Sequence, residues 1–198
     1  MDQTFWDERY RESDRVWSNN PNPVLIEHAT TLTPGRALDL GSGEGADARW
    51  LAEQGWTVTA VDISPVAIDR AQAFGGSDTI TWQQGDPIAD PPPARSFDLV
   101  SAQYFPVPKT PGDTSARGLV EAVAPGGTLL IVFHAIPTEP QENWRGGDPR
   151  DYYQPHDFAE MLDDTWTIDV DRTQERTTAP PGGSHHTHDT VLRATRQS

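Results

Sequence analysis

The sequence contains no cysteine among its 198 residues, which excludes disulfide bonds and thiolate metal ligands within this chain. Lysine is almost absent, since Lys109 is its single occurrence, and the arginines form no basic cluster. Thirty acidic residues against fifteen basic ones give a formal net charge of −15. A surface of that sign repels nucleic acid and anionic membranes. The sequence therefore predicts a small-molecule partner, without nucleic acid or membrane, and leaves the oligomeric state open.

Long apolar runs are also missing, because no stretch approaches the ~20 residues that cross a bilayer. The first fourteen residues, MDQTFWDERYRESD, are charged and aromatic, unlike a secretory signal. A cytoplasmic location is the resulting expectation. The length suits one domain. We expect residues 1–34 to form a helical N-terminal cap and residues 35–198 to form the core.

Apolar and turn-forming residues alternate along the chain in a way typical of strand–helix units. Two helices are predicted first, at 4–12 and 24–31. The alternating part then predicts strands at 37–40, 57–61, 80–83, 97–102 and 128–133, with helices at 46–53, 65–74 and 114–123. Pro125-Gly126-Gly127 indicates a turn before the fifth strand. Repeated units of this kind favour a mostly parallel, doubly wound α/β sheet.

The pattern changes after the fifth predicted strand. Residues 137–155 are rich in proline, glycine and acids and are predicted to form a long loop, and residues 155–162 a short helix. Residues 166–173 and 190–195 then alternate like strands. Two late strands joined by a loop predict an antiparallel pair added to the sheet.

The stretch ALDLGSGEG, residues 37–45, predicts a strand that runs into a glycine-rich loop. Gly41, Gly43 and Ala46 fit the fingerprint G-x-G-x-x-G/A, in which glycines let the backbone approach a phosphate or a nucleoside. Asp62 ends the next predicted strand, where a carboxylate can accept hydrogen bonds from both ribose hydroxyls. The combination predicts a cofactor that contains adenosine.

Asp39 narrows the choice of cofactor by its charge. A pyrophosphate near this carboxylate would be repelled by roughly 3 kcal/mol at ~5 Å and an effective dielectric constant of ~20. S-adenosylmethionine avoids this penalty, because it carries an ammonium and a sulfonium. A nicotinamide-dependent oxidoreductase remains an alternative on the same fold, as does a non-catalytic module that binds S-adenosylmethionine or S-adenosylhomocysteine.

Residues 37–72, ALDLGSGEGADARWLAEQGWTVTAVDISPVAIDRAQ, resemble the cofactor half of class I S-adenosylmethionine-dependent methyltransferases. The resemblance implies a Rossmann-like, seven-stranded sheet whose last strand is antiparallel. It also implies a set of cofactor-binding residues: Asp39, Gly41, Gly43 and Gly45 of the first motif, Asp62 at the ribose, Ile63 beside the adenine, and Asp86 with Pro87 near the adenine amine.

The opening WDERY, together with Trp17, is similar to small-molecule methyltransferases of the thiopurine and tellurite-resistance type. In those proteins an N-terminal helix covers the cofactor. The similarity implies that Trp6 and Tyr10 contact the cofactor. The alternative is that they are only the buried stripe of a helix.

Residues at the ends of the fourth and fifth predicted strands are candidates for the chemistry. Gln103 is expected beside the methyl group of the cofactor. A phenol or alcohol acceptor benefits from a base, for which His134 and Tyr104 are the candidates, whereas thiolates and many amines need none. The nucleophile of the small-molecule acceptor, oxygen, nitrogen or sulfur, therefore stays open.

Two further features lie late in the sequence. His185, His186 and His188 beside Asp189 have the residue types of a metal site. Since they follow Pro-Pro-Gly-Gly, a solvated loop is favoured and no metal site is predicted. Trp144, in the long loop, is a candidate for lining a substrate pocket.

Overall fold

A computed structural model describes residues 1–136, 147–176 and 187–198 of the chain. The seven strands of this part are β1 (Arg36–Leu40), β2 (Thr57–Asp62), β3 (Ile80–Gln84), β4 (Phe97–Gln103), β5 (Val123–His134), β6 (Trp166–Glu175) and β7 (His188–Arg196). Its six α-helices are α1 (Gln3–Arg11), α2 (Pro23–Ala29), α3 (Ala46–Glu53), α4 (Pro65–Phe74), α5 (Thr114–Glu121) and α6 (Pro155–Met161).

The seven strands form one sheet in the order β3-β2-β1-β4-β5-β7-β6. Strands β1 to β5 pair in parallel, and β7 is antiparallel to both of its neighbours, β5 and β6. The prediction of a doubly wound, mostly parallel seven-stranded sheet with an antiparallel last strand is confirmed. The chain reverses its direction of winding between β1 and β4, and open α/β sheets bind ligands at that position.

Two hydrophobic clusters cover the two faces of the sheet. Along β5, Leu129 and Ile131 belong to one cluster, and Leu130 and Val132 belong to the other. This alternation follows from the two-residue repeat of a strand, and it explains why the central strands are apolar throughout. Helices α5 and α6 contribute residues to the first cluster, and α2 and α3 contribute residues to the second.

The helices begin where the sequence supplies capping groups. Ser64 Oγ accepts a hydrogen bond from the Ala67 amide at 3.3 Å, and Pro65 occupies the first turn of α4. Asp2 caps α1 in the same way through the Phe5 amide. Both helices predicted for the N-terminal segment are present, and the prediction of a helical N-terminal cap is confirmed.

The turn predicted at Pro125-Gly126-Gly127 is a bulge inside β5, which already begins at Val123. Phe97 of β4 pairs with Val123 and Leu99 pairs with Thr128, so that residues 124–127 lie opposite one residue of β4. Gly126 has a φ of +77°. These residues do bend the chain, but pairing with β4 continues on both sides of the bend.

Candidate functional site

The glycine-rich loop after β1 depends on backbone conformations that favour glycine. Gly41, Gly43 and Gly45 have φ values of +66°, +55° and +82°. A Cβ atom on Gly41 would lie 2.7 Å from the ring of Phe105, and one on Gly43 would lie 3.0 Å from Tyr10 Oη. Side chains at these positions would therefore be strained and would also displace the aromatic rings that pack on the loop.

Asp62, at the end of β2, holds this loop in place. Its Oδ2 accepts a hydrogen bond from the Gly43 amide at 2.8 Å, and its Oδ1 accepts one from the Ser64 amide at 2.9 Å. Burial raises the pKa of Asp62 to about 6, and the two hydrogen bonds act in the opposite direction. Each carboxylate oxygen has a further lone pair for a ribose hydroxyl. The ribose role of Asp62 stays a prediction.

Asp39 lies in β1 with only 2% of its surface exposed. Burial, and then the charges of Asp47 and Asp62, raise the pKa of Asp39 well above its usual range. Asp47, in the first turn of α3, is stabilised by two hydrogen bonds from Asn22, at 2.7 and 2.6 Å. Three carboxylates thus converge at the carboxyl end of β1, and a backbone hydrogen bond from Ala48 to Asp39 only partly opposes the rise of its pKa.

Three buried polar atoms in this region have no hydrogen-bond partner among the residues that the structure describes: Asp39 Oδ2, Ser42 Oγ and Gln103 Oε1. Leu40 pairs with Ala102, so the loop residue Ser42 and the β4 residue Gln103 lie near the same strand ends. Buried polar groups are normally hydrogen-bonded. Acceptors left unpaired beside a carboxylate fit a ligand with an ammonium group, such as the methionine end of S-adenosylmethionine.

The residues expected at the adenine follow β2 and β3. Ile63 is half-buried, and its carbonyl oxygen accepts a hydrogen bond from Gln84 Nε2 at 3.1 Å. Asp86 Oδ1 accepts the amides of Ile88 at 2.9 Å and Ala89 at 3.4 Å, and Pro87 between them is buried. Asp86 therefore acts as a turn aspartate, and contact of these residues with an adenine stays a prediction.

Helix α1 covers the glycine loop. Tyr10 is 2% exposed, and its hydroxyl accepts a hydrogen bond from Trp17 Nε1 at 3.2 Å. The ring of Trp6 lies beside it, with 6.3 Å between the ring centroids. Asp7 joins the helix to α4, since its Oδ1 accepts a hydrogen bond from Ser64 Oγ at 2.5 Å. Tyr10 thus lies against the glycine loop, while contact of Trp6 or Tyr10 with a cofactor stays a prediction.

The sequence reasoning missed the role of Glu44, which lies within the glycine loop. Its Oε2 accepts the amides of Val16 at 3.2 Å and Trp17 at 3.0 Å, and its Oε1 pairs with Arg70 Nη1 at 3.0 Å. Glu44 therefore links the loop to the N-terminal segment and to α4. A single acid between glycines carries no signal of a contact with a residue 28 positions away, so the pattern could not have revealed it.

His134 and Tyr104 are brought together at the ends of β5 and β4. Their rings stack with 4.3 Å between centroids and 29° between planes. Tyr104 Oη donates a hydrogen bond to Asp189 Oδ2 at 2.9 Å, and His134 Nδ1 lies 3.4 Å from Asp189 Oδ1. Arg176 Nη1 lies 2.9 Å from Tyr104 Oη and 3.2 Å from His134 Nδ1. Tyr104 also has a φ of +57°, a conformation that is strained for a tyrosine. Their catalytic roles stay predictions.

The late histidines offer no metal site within the described part of the chain, where no group of three histidine, acidic or cysteine residues could hold a metal ion. His185 and His186 lie outside the described residues, and so does Trp144. Asp189, considered beside them, bonds to Tyr104 and Arg176 instead.

Comparison with known proteins agrees with this geometry. Residues 37–127 match the profile of a family described as a methyltransferase domain. An uncharacterised methyltransferase of Mycobacterium tuberculosis is 32% identical over 128 residues, which cover 63% of this chain and 64% of the relative. Residues 37–127 of the chain are thus similar to a methyltransferase domain. The match therefore spans just under two thirds of that relative's length.

Two other similarities extend over more of the chain. A 2-heptyl-1-hydroxyquinolin-4(1H)-one methyltransferase of Mycobacteroides abscessus is 28% identical over 162 residues, which cover 77% of this chain and 69% of the relative. The structure of a Burkholderia thailandensis 1,6-didemethyltoxoflavin-N1-methyltransferase with S-adenosylhomocysteine superposes with a TM-score of 0.66 at 19% identity, covering 99% of this chain and 87% of that one. At 19% identity, the similarity to the Burkholderia thailandensis structure concerns the fold alone. No helix in the described residues is long and apolar enough to span a membrane.

Proposed function

We propose that this domain binds S-adenosylmethionine and transfers its methyl group to a small-molecule acceptor through oxygen, nitrogen or sulfur. One observation carries the proposal: within the described part of the chain, Asp39 Oδ2, Ser42 Oγ and Gln103 Oε1 are buried without hydrogen-bond partners beside the glycine loop, at the strand ends where this fold binds ligands. A bound S-adenosylmethionine supplies an activated methyl group on a sulfonium, and the chain supplies alignment and exclusion of water.

The charge of the site favours this cofactor over a nicotinamide dinucleotide. Burial and the charges of Asp47 and Asp62 raise the pKa of Asp39, so a cation beside it would relieve the repulsion and a pyrophosphate would add to it. The Gly43 amide donates a hydrogen bond to Asp62, so the Asp62 carboxylate lies next to the loop. In a nicotinamide dinucleotide site that same loop would have to bind the phosphates.

The small-molecule acceptor is supported by the names of the relatives. One is named for a hydroxyquinolone, and a structural neighbour is named for didemethyltoxoflavin. The net charge of −15 speaks against a nucleic-acid substrate. Methylation of RNA would require affinity that falls steeply with salt, which filter binding at two salt concentrations measures.

Calorimetry with matched glycine variants tests the proposal. Wild-type protein is expected to bind S-adenosylmethionine and S-adenosylhomocysteine. Gly43→Ala is expected to weaken both by about tenfold, or ~1.4 kcal/mol, because its Cβ would lie 3.0 Å from Tyr10 Oη and disturb the loop that takes the cofactor. Gly112→Ala is the control, because Gly112 has a φ of +70° and open space around its Cβ position. If folded wild-type protein binds neither compound, the proposal fails.

The remaining alternatives are separated by two simple measurements. A thermal shift with S-adenosylmethionine but not with nicotinamide dinucleotides excludes the oxidoreductase. Formation of S-adenosylhomocysteine in a screen of phenols, amines and thiols identifies an enzyme. Binding without turnover across such a screen indicates a non-catalytic module.

A further inference from the structure

The chain turns sharply where it leaves β4, and the turn sends two consecutive aromatic side chains in different directions. Tyr104, the first residue after the strand, has a φ of +57°, in the left-handed region that non-glycine residues rarely adopt. Its side chain packs with the hydrophobic cluster that α2 and α3 cover, whereas that of Phe105 packs with the cluster on the other face of the sheet. Backbone strain of this kind persists only where the surrounding contacts hold it.

Three hydrogen bonds hold Tyr104 in this conformation. Its amide donates to the carbonyl oxygen of Val132 on β5 at 2.8 Å. Its hydroxyl donates to Asp189 Oδ2 at 2.9 Å and accepts a hydrogen bond from Arg176 Nη1, also at 2.9 Å. These contacts therefore fix the direction in which the next residue, Phe105, leaves the turn.

Phe105 packs directly on the glycine loop. A Cβ atom on Gly41 would lie 2.7 Å from Phe105 Cδ2 and 3.3 Å from both Cβ and Cγ of the same side chain. Only a glycine at position 41 lets the ring come so close. Phe105 is half-buried, so one edge of the side chain rests on the loop while part of it stays accessible. The turn after β4 thus adds an aromatic wall to the loop after β1.

The ionisable groups near this wall are acidic. Asp39, Asp47 and Asp62 are all buried and converge at the carboxyl end of β1. Within the part of the chain that the structure describes, no lysine or arginine lies over the Phe105 ring. The face of an aromatic ring carries negative charge density and attracts cations. A ring beside three carboxylates therefore suits a ligand group with a positive charge.

We propose that Phe105 recognises the sulfonium of S-adenosylmethionine and so distinguishes this donor from its neutral product, S-adenosylhomocysteine. This inference rests on the proposed function. Both compounds carry the same ammonium, carboxylate and adenosine, and they differ in the charge on sulfur. As the bond from the acceptor atom to the methyl carbon forms, the carbon–sulfur bond breaks and its electron pair stays on sulfur. Transfer therefore removes the charge that the ring attracts, and the product is held less strongly than the donor.

Recognition of this kind stabilises the bound donor and not the transition state, because the charge on sulfur falls as the reaction proceeds. Phe105→Leu is therefore expected to raise KM for S-adenosylmethionine about fivefold without lowering kcat. Inhibition by S-adenosylhomocysteine should keep its strength in the variant. A fall in kcat with an unchanged KM contradicts the role of Phe105 in binding the donor.

Calorimetry with matched ligands tests the recognition directly. The third ligand is sinefungin, in which a carbon that bears an ammonium replaces the methylated sulfonium. Phe105→Leu is expected to weaken S-adenosylmethionine and sinefungin about fivefold more than S-adenosylhomocysteine. Equal losses for all three ligands overturn the proposal, since they indicate that the ring contributes only packing.

A second phenylalanine supplies the matched control. Phe74, at the end of α4, is 51% exposed, and the guanidinium of Arg49 lies 4.6 Å from the centre of its ring. Phe74→Leu removes this cation–π pair within the protein. It is expected to leave the ratio of the affinities for S-adenosylmethionine and S-adenosylhomocysteine unchanged.

Fluorination of the ring tests the proposal with almost no change of shape, and it remains decisive where Phe105→Leu fails to fold. Mono-, di- and trifluorinated phenylalanine at position 105 withdraw increasing electron density from the ring face. Affinity for S-adenosylmethionine is expected to fall stepwise, by roughly threefold over the series, while that for S-adenosylhomocysteine stays constant. A series with constant affinity for S-adenosylmethionine overturns the proposal. Wild-type protein that binds neither compound refutes the proposed function instead, so the two failures are distinguishable.

Discussion

Replacing Asp39 with asparagine tests the electrostatic reasoning about the cofactor pocket most directly. The substitution keeps the shape of the side chain and removes its charge. Asp39 is 2% exposed, and its Oδ2 has no partner among the described residues. If the ammonium of S-adenosylmethionine is the missing partner, Asp39→Asn should weaken binding and stabilise the protein without ligand.

The effect on binding follows from the charge that is lost. Two unit charges about 4 Å apart attract by about 4 kcal/mol at an effective dielectric constant of ~20. The asparagine retains one oxygen acceptor, and the ligand-free site no longer holds a buried charge. The net loss should be about 2–3 kcal/mol, or roughly 30- to 150-fold in Kd.

The effect on stability has the opposite sign. Because the folded-state pKa of Asp39 lies above its unfolded value, the carboxyl destabilises the fold increasingly as pH rises from the unfolded pKa through the folded one. Removing a charge that burial and the charges of Asp47 and Asp62 disfavour should raise the free energy of unfolding by about 1–3 kcal/mol at neutral pH. The gain should disappear at acid pH, where Asp39 is protonated in both states.

Calorimetric titration and urea unfolding measure the two effects on the same protein. Asp98→Asn is the matched control, because the Asp98 side chain is 40% exposed and pairs with Arg36 at 3.3 Å, far along β4 from the loop. The control should lose at most about 1 kcal/mol of stability and none of its affinity. An unchanged Kd in folded Asp39→Asn would refute the reasoning, since the ammonium must then lie elsewhere.

Three further predictions concern other parts of the domain. Affinity for S-adenosylmethionine should fall as the pH drops through about 6, by about tenfold in total, because buried Asp62 has a pKa of about 6 and is the better acceptor when ionised; calorimetry across that range measures it. Glu44→Gln should loosen the N-terminal segment, which should accelerate release of S-adenosylhomocysteine several-fold in stopped flow and speed tryptic cleavage before Val16. The exposed control Glu53→Gln should change neither the release rate nor the cleavage rate. Phe158→Ala, from a fully buried ring, should cost about 3–5 kcal/mol in urea unfolding and leave Kd unchanged.

The sequence predicted the core of the fold because local pattern and burial agree there. Residues 46–53 form the predicted helix between the predicted bounds, and the strand–helix–strand order required a parallel sheet. The bulge in β5 was beyond such reasoning. Pro125 and the two glycines have the composition of a turn, and only the pairing of Phe97 and Leu99 with β5 on either side of them makes the segment part of a strand.

In the candidate site, too, some features could be predicted from the sequence and others could not. Asp39 and Asp62 could be located from the sequence, because each stands at a strand end whose position the pattern determines. Contacts between segments that are distant in the sequence could not be predicted. Asp7 and Ser64 are 57 residues apart, and Tyr104 and Asp189 are 85 apart, so neither pair leaves a local signal.

The two ends of the proposed active site differ in how completely their charges are compensated. Around the glycine loop, Asp39 faces Asp47 and Asp62, and burial opposes its ionisation. Beside His134, Arg176 and Asp189 form an ion pair at 3.0 Å and neutralise each other before any ligand arrives. A cation that binds at the first end therefore changes the energetics of the protein, whereas an acceptor at the second end meets charges that already compensate each other. On this reasoning the cofactor stabilises the fold strongly when it binds and a neutral acceptor does so only slightly, so that thermal shifts should be large for S-adenosylmethionine and small for the acceptor.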